Sequence, residues 1–459
     1  MASSPARSLP LDESRPIWRL LLEFLIPLML SNLLQSLGAT ANAIYVGRLV
    51  GVDALAAVSS IFPVVFFLIS FLIGLASGST VLIGQAFGAR ESGKLKEVAG
   101  TTIALTIVLG TIVGTLGGVF SRELLMLMGT PANILETAAG YARITFFSVP
   151  ILFLYLIYTT FLRGVGDTRS PFYALIGSTA LTLLITPALI LGWAGLPRLG
   201  TNGAAVANVV ATVCGMAGLL VYLARRKSPV ALDREILANV RLRPAIVWKI
   251  VRIGIPTGIN LVMISLSEIA VISFVNRFGS TATAAYGAVN QVASYVQFPA
   301  VSIGIAAAVF GAQSIGAGRL ERIPKIVRSA VILNYVIEGT LVLLGYVFSY
   351  GLIALFIKDA ATVAVAHGLL MITLWSYAIF GNARVLSGIM LSSGTVVWPT
   401  LLSVFSIWGV EVPVAYVLMQ RWGLDGVWYG YPAAFVAGLA MQFTYYNFFW
   451  RKRRRERLI

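Results

Sequence analysis

The chain is short of nearly everything a soluble domain is built from. Charged residues fill 11% of its 459 positions, against about 25% in an ordinary soluble domain, while hydrophobic residues fill 58%. That excludes a water-facing surface of normal polarity. There is one cysteine, Cys214, inside an apolar run, so an intramolecular disulfide and a thiolate metal cluster are excluded. The single histidine, His367, reads as a local residue at a helix start rather than a metal ligand, although its titration near neutral pH suits a pH sensor. No nucleotide loop survives inspection. Gly74-Leu75-Ala76-Ser77-Gly78 lacks the lysine of a phosphate-binding loop, and Gly164-Val165-Gly166-Asp167 follows an apolar run instead of a strand. The chain is therefore not expected to be an enzyme, needs no cofactor, and must draw energy from an ion gradient or from its substrate's own gradient.

What is present is a series of long apolar runs. Twelve windows predict helices near 18–46, 55–82, 98–120, 141–161, 172–194, 203–224, 250–276, 284–311, 328–357, 364–386, 397–419 and 428–449. Backbone groups in lipid must bond internally, and runs this long suit helices rather than barrel strands. The first run is too long for the apolar core of a signal peptide, and the basic and acidic residues Arg7, Glu13, Arg15 and Arg19 precede it.

The net charge of +16 is distributed unevenly between alternate connections. One set holds Arg48, Arg122, Arg198, Arg277, Lys358 and Arg421, one basic residue each. The other holds Arg90, Lys94 and Lys96, then Arg163 and Arg169, then Arg225 to Lys227 with Arg234, Arg241 and Arg243, then Arg319 to Arg328, and the tail Arg451-Lys452-Arg453-Arg454-Arg455. Positive-inside bias puts both termini in the cytoplasm of a multi-pass protein of the cell membrane, the inner one where there are two. Topology accounts for this charge without a nucleic-acid partner, and the tail suits anionic lipid headgroups.

The second half repeats the first. Gly51-Val52-Asp53-Ala54-Leu55-Ala56-Ala57 returns as Gly279-Ser280-Thr281-Ala282-Thr283-Ala284-Ala285, and Gln85-Ala86-Phe87-Gly88-Ala89 returns as Gln313-Ser314-Ile315-Gly316-Ala317, both 228 residues later. Farther on, Gly200, Gly203 and Ala211 find Gly423, Gly426 and Ala434. Six helices per half make the repeats parallel, and duplicated bundles of this kind rock about a central site in transporters. The expected layout is a six-helix lobe at 17–225, a cytoplasmic linker at 226–248, a second lobe at 249–450 and a basic tail at 451–459. Leu232, Ile236, Leu237 and Val240 leave room for a short surface helix in the linker. Pro27 and Pro256 mark the starts of matching helices, and Pro187 and Pro413 mark kinks in later ones.

Ionisable groups inside the apolar runs are few, and each is a candidate site. Glu268 lies amid Ser265, Ser267 and Ser273, where it can take a proton, coordinate a cation such as a transient sodium, or serve as a structural hydrogen-bonded carboxyl. Glu338 and Glu411 are further ion-coupling candidates, without partners at diagnostic spacing. Glu23 is expected to pair with Arg19 or to reach the interface. Neutral polar residues are the substrate-cavity candidates: Gln35 and Asn42 in the first helix, Thr182 and Thr186 in the fifth, Asn208 in the sixth and Asn260 in the seventh. Arg143 and Arg384 are read as side chains snorkelling to helix ends, with contact to an anionic lipid or substrate as the rival reading.

Four stretches resemble the multidrug and toxic compound extrusion family, the NorM and DinF-like exporters. They are Asn42-Ala43-Ile44-Tyr45-Val46-Gly47-Arg48 with Asp53-Ala54-Leu55-Ala56-Ala57 after it, Gly84-Gln85-Ala86-Phe87-Gly88-Ala89-Arg90, Phe161-Leu162-Arg163-Gly164-Val165-Gly166-Asp167-Thr168-Arg169, and Leu199-Gly200-Thr201-Asn202-Gly203-Ala204-Ala205. The resemblance implies twelve transmembrane helices in two lobes around a central V-shaped cavity. It also implies an antiporter that acts as a monomer and couples sodium or proton entry to export of amphipathic, cationic organic compounds. Relatives that move lipid-linked precursors make a lipid or envelope-precursor flippase the alternative. The family commonly has Asp where this chain has Asn42, and Asn and Asp where it has Thr182 and Thr186 before Pro187. Glu268 resembles the helix-seven acid of the NorM type, but the run from Ile372 to Gly388 holds no acid to match that type's helix-ten carboxylate.

Overall fold

The computed structural model describes residues 15–195, 197–453 and 455–459; Arg7, Glu13 and Arg454 of the charge pattern lie outside them. Every regular element among the described residues is helical. The first half comprises α1 (Ile17–Leu49), α2 (Val52–Gly88), α3 (Ser92–Val119), α4 (Ser121–Leu127), α5 (Ala132–Phe147), α6 (Val149–Gly164), α7 (Arg169–Leu191) and α8 (Thr201–Arg225). The short α9 (Arg234–Ala238) follows, then α10 (Pro244–Val275), α11 (Ser280–Gly316), α12 (Arg322–Val347), α13 (Ser349–Ala354), α14 (Ala360–Thr373) and α15 (Ser376–Leu391). The chain ends with α16 (Val397–Phe405), a π-helical turn Ser406–Glu411, α17 (Val412–Trp422), α18 (Leu424–Trp428), α19 (Gly430–Tyr445) and a second π turn Tyr446–Trp450.

Nine helices among the described residues are long and apolar enough to cross a membrane, or eleven if each of two bent pairs is one span. The chain is thus an all-α, multi-span membrane fold. Of the twelve sequence windows, the last falls on α18, the 16-residue α19 and a π turn, and no single α-helix covers it. The bends have identifiable causes. Between α5 and α6 (50°) Pro150 stands in the first turn of α6, where it removes a backbone donor. Between α14 and α15 (44°) the Tyr346 hydroxyl donates to the Met371 carbonyl at 3.2 Å and accepts from the Trp375 N–H at 3.1 Å. A side chain inserted between a carbonyl and the amide four residues on opens the helical ladder there while leaving neither group orphaned. Pro27 and Pro256 do not begin helices; each lies ten or more residues inside one, α1 and α10.

The chain divides into two compact units. Unit 1 takes Leu30–Ile83 and Glu91–Val251, and unit 2 takes the described part of Pro10–Met29 with Gly84–Arg90 and Arg252–Ile459. α1, α2 and α10 therefore each contribute to both.

In unit 1 the short helix α9 is tied to the start of α3. Lys96 pairs with Asp233 at 2.6 Å and with Glu235, and Glu97 pairs with Arg243 at 2.8 Å. Asp233 also caps α9 through the Ile236 N–H, and Ile236 is buried. Partial burial raises the Asp233 carboxyl, but the hydrogen bonds from Lys96 and Ile236 outweigh it and hold the group below the usual carboxylate range.

In unit 2 the repeated sequence Gln-x-x-Gly meets itself. A Cβ on Gly88 would lie 2.1 Å from the Gln313 carbonyl oxygen, and one on Gly316 would lie 2.0 Å from that of Gln85. The contact is reciprocal, as in a two-fold interface, and only glycine admits it. Gln85 is fully buried beside it, donating to the Ser392 carbonyl at 2.8 Å and accepting from the Leu458 N–H at 2.7 Å. Glu23, expected to pair with Arg19, is bound by Arg15 at 3.0 Å, and Arg19 lies over the Trp18 ring instead.

Candidate functional site

The polar site of unit 2 is assembled from six elements around an apolar core. Glu268 on α10 accepts at Oε2 from the hydroxyls of Tyr286 on α11 at 2.6 Å and Tyr431 on α19 at 3.0 Å. Trp428 packs against both tyrosine rings, with centroids at 5.3 and 6.3 Å. Glu268 is only half-buried, so its carboxyl is reachable while its partners are enclosed.

Glu338 on α12 is fully buried, and neither of its oxygens has a hydrogen-bond partner among the described residues. The backbone of Ala300 lies near enough to act on it electrostatically but does not meet hydrogen-bond geometry. One turn earlier Asn334 donates to the Ala378 carbonyl at 2.8 Å and to Asn382 at 3.2 Å, leaving its own oxygen unpartnered. Glu411 is buried at the end of the π turn, with Oε1 unpartnered. Pro413 explains that turn: it cannot donate to the carbonyl four residues back, and the helix widens before it. The turn is fixed to α10 by the Trp408 indole, which donates to the Met263 carbonyl at 3.2 Å, and is pressed by Gly430 of α19.

Glu268 is joined to α19 through Tyr431, the Glu411 backbone lies against Gly430 of α19, and Glu338 stands on α12, which packs on α15 and through it on α19. The three carboxyls that spacing alone could not relate thus stand on neighbouring elements of unit 2. They are not in contact. Among the described residues no three acidic, histidine or cysteine side chains come close enough to hold a metal ion. A buried carboxyl with orphaned oxygens avoids its desolvation cost by taking up a proton or a cation. The orphaned atoms here are acceptors on Asn334, Glu338 and Glu411 and one donor, the Trp428 indole N–H.

The neutral candidates are placed differently. Gly38 on α1 lies against Thr179 on α7, both in unit 1. Asn42 stands one turn beyond Gly38 with its oxygen buried and unpartnered, and Thr186 is buried with an unpartnered hydroxyl. Thr182 donates to the Ser178 carbonyl of its own helix at 2.9 Å. Gln35 and Asn208 are exposed. Asn260, in unit 2, accepts weakly from Ser403 at 3.4 Å and so helps join α10 to α16. A cavity of about 330 Å³ opens between α7 and α8, but its lining is Tyr173, Ser178, Cys214 and Tyr222 with two leucines and small residues, not the two threonines. His367 bonds Ser349 at 2.9 Å and stacks on Tyr350.

Sequence reasoning missed Tyr286 and Tyr431. The Arg384 guanidinium lies over the Phe380 ring at 5.5 Å, one turn back along α15. The signal available for the tyrosines was a hydroxyl inside an apolar run, which carries little weight until an acid is seen beside it.

A family profile described as MatE matches residues 27–188 and again 256–417. The chain is 52% identical over 450 residues to the probable multidrug resistance protein YoeA of Bacillus subtilis, covering 97% of each. It is 26% identical to the probable multidrug resistance protein YpnP of the same organism, covering 93% of this chain and 94% of that one. In fold it is similar to a mutant of the Vibrio cholerae MATE transporter VcmN, with a TM-score of 0.87, 19% identity, and coverage of 95% of this chain and 98% of that one. The profile takes in both halves of the repeat, so the chain belongs to the multidrug and toxic compound extrusion family and is a transport protein, not an enzyme.

Proposed function

We propose that the protein is a secondary antiporter that exports amphipathic organic compounds, cationic ones among them, by alternating access in exchange for sodium or proton entry. Glu268, Glu338 and Glu411 form its coupling region. The observation that carries this reading is a half-buried carboxylate, Glu268, held by the hydroxyls of Tyr286 and Tyr431, with two further buried carboxyls on neighbouring elements, Glu338 and Glu411, whose oxygens lack partners. An ion arriving there neutralises acceptors that have no other partner, and its departure restores their need. That is the two-state response an exchanger requires. Asn42, Thr182 and Thr186 carry no titratable charge and serve as hydrogen-bonding wall, with Gln35, Asn208 and Asn260 as weaker candidates. The family and the multidrug names of the relatives support a drug-like cargo. The protein works as a monomer in the cell membrane with both termini in the cytoplasm.

The test is flux of a cationic dye from proteoliposomes with sodium and proton gradients imposed separately, in wild type and Glu268→Gln. One gradient should drive wild-type flux, and the amide, which keeps the shape but loses the charge, should remove most of that stimulation in folded protein. Equal stimulation of both proteins would end the proposed role.

A further inference from the structure

Residues 451–459 are basic enough to lie on lipid, yet their far end is folded against unit 2. The chain leaves the second π turn at Trp450, which is buried and whose indole donates to the Ser393 hydroxyl at 2.9 Å. Arg455 turns back over the Trp450 ring at 4.4 Å and donates to the Arg451 carbonyl at 3.1 Å. The Leu458 N–H then reaches the buried side chain of Gln85, in the last turn of α2, at 2.7 Å. The Leu458 side chain fills the space beside Gly394, 2.9 Å from where a Cβ would stand. The Arg457 guanidinium lies 3.4 Å from the corresponding point on Gly318. Both glycines have positive φ, +75° and +73°, so the loops after α15 and α11 turn tightly and leave room for the segment.

In unit 1 the segment that follows α8 is held differently. There Asp233 and Glu235 bring negative charge onto Lys96, and Val230 and Ile236 are buried. Residues 451–457 instead bring six basic residues and one acid, the exposed Glu456, against a connection that carries Arg319, Arg322 and Lys325 with Glu321. Like charges gathered in one place oppose this docking, and the Gln85 hydrogen bond and the Leu458 side chain work against them. Arg455 also keeps a buried Nε with no hydrogen-bond partner among the described residues, a cost that ends when the segment leaves. Lysine and arginine each gain free energy beside an anionic membrane surface, and several together suffice to displace a contact of this size.

We propose that residues 451–459 bind anionic phospholipid headgroups in competition with their own docking site on unit 2. In a neutral bilayer the segment rests on Gln85; on an anionic one it moves to the lipid. Its departure takes the Leu458 donor from the buried Gln85 oxygen, so lipid charge acts on the α2–α11 crossing that Gln85 adjoins. This holds whatever the protein exports.

The test places nitroxides at Ile459 and at Val397, which is exposed at the start of α16, in full-length Cys214→Ser protein. Pulsed electron spin resonance should show one narrow distance in phosphatidylcholine nanodiscs. Adding phosphatidylglycerol should broaden it and lower the docked-to-released ratio by about tenfold or more, and added salt should restore it. Arg455→Gln combined with Arg457→Gln should stay docked in both lipids, because the charges that move to the headgroups are gone. Leu458→Pro, which lacks the N–H that Gln85 accepts, should be released in both. Docking that phosphatidylglycerol leaves unchanged or strengthens, release that salt does not reverse, or a wild type already released in phosphatidylcholine would overturn the proposal. So would release of the double variant in neutral lipid, or a Leu458→Pro segment that stays docked.

Discussion

Asn42 and Glu268 stand in the two units as a neutral and a charged polar group within helices of the same rank, and their chemistry separates what each can do. The Asn42 oxygen is buried without a partner, so it can accept from a substrate or water but cannot exchange a proton near neutral pH. Asn42→Ala should therefore raise the substrate KM by roughly two- to tenfold, the worth of one hydrogen bond, and leave ion stoichiometry unchanged. Glu268→Gln should lose the ion response. Matched measurements of KM and ion stoichiometry in the two variants check this, and loss of stoichiometric coupling in Asn42→Ala would reverse the assignment. The acids were legible in the sequence because charge inside an apolar run stands out. Their mutual position was not: Glu338 and Glu411 are 73 residues apart, and only the packing of α12 on α15, and of α15 and the π turn on α19, brings their elements together.

At the scale of elements, the crossing of α2 and α11 states most clearly what the repeat is for. The sequence pairs Gln85 and Gly88 with Gln313 and Gly316, but a repeat alone does not say that the copies touch. In the structure each glycine meets the backbone carbonyl of the other copy's glutamine, and the buried Gln85 amide both donates and accepts a hydrogen bond. Gly316→Ala should force the backbones apart and lower thermal stability in detergent, by about 1–3 kcal/mol on the scale of other overpacked contacts. Gly339 on α12 is the internal control, because nothing lies within 4 Å of the Cβ it would gain. Gly339→Ala should be neutral or stabilising through helix propensity alone. Melting curves followed by size-exclusion fluorescence distinguish the cases, and equal shifts for both variants would mean that the crossing is not tight in solution. Helix existence was readable from hydropathy in this way too, and the breaks were not. A bend held open by the Tyr346 hydroxyl has no local signature in residues 371–375, because its cause sits on another helix.

For the whole molecule the strongest constraint is the distribution of charge along an otherwise apolar chain. One set of connections carries single basic residues, such as Lys358 before α14, and the other carries clusters, such as Arg319, Arg322 and Lys325 around the start of α12. Insertion retains clustered lysine and arginine on the cytoplasmic side, so the clusters and both termini are expected there. The acids refine this picture without changing its sign, since Asp233 and Glu235 neutralise Lys96 locally on the clustered side. The chain offers a clean way to test it, because Cys214 is its only cysteine and is exposed. In a Cys214→Ser background, a cysteine placed at Lys358 should react with a membrane-impermeant maleimide added outside intact cells. One placed at Arg319 should react only after the membrane is opened. The two positions lie at opposite ends of α12 and the short helix after it, so they cannot both be external if α12 crosses once. Labelling of Arg319→Cys but not Lys358→Cys in intact cells would invert the molecule. It would then place the α2–α11 crossing, with the Leu458 tail held in it, on the outer face.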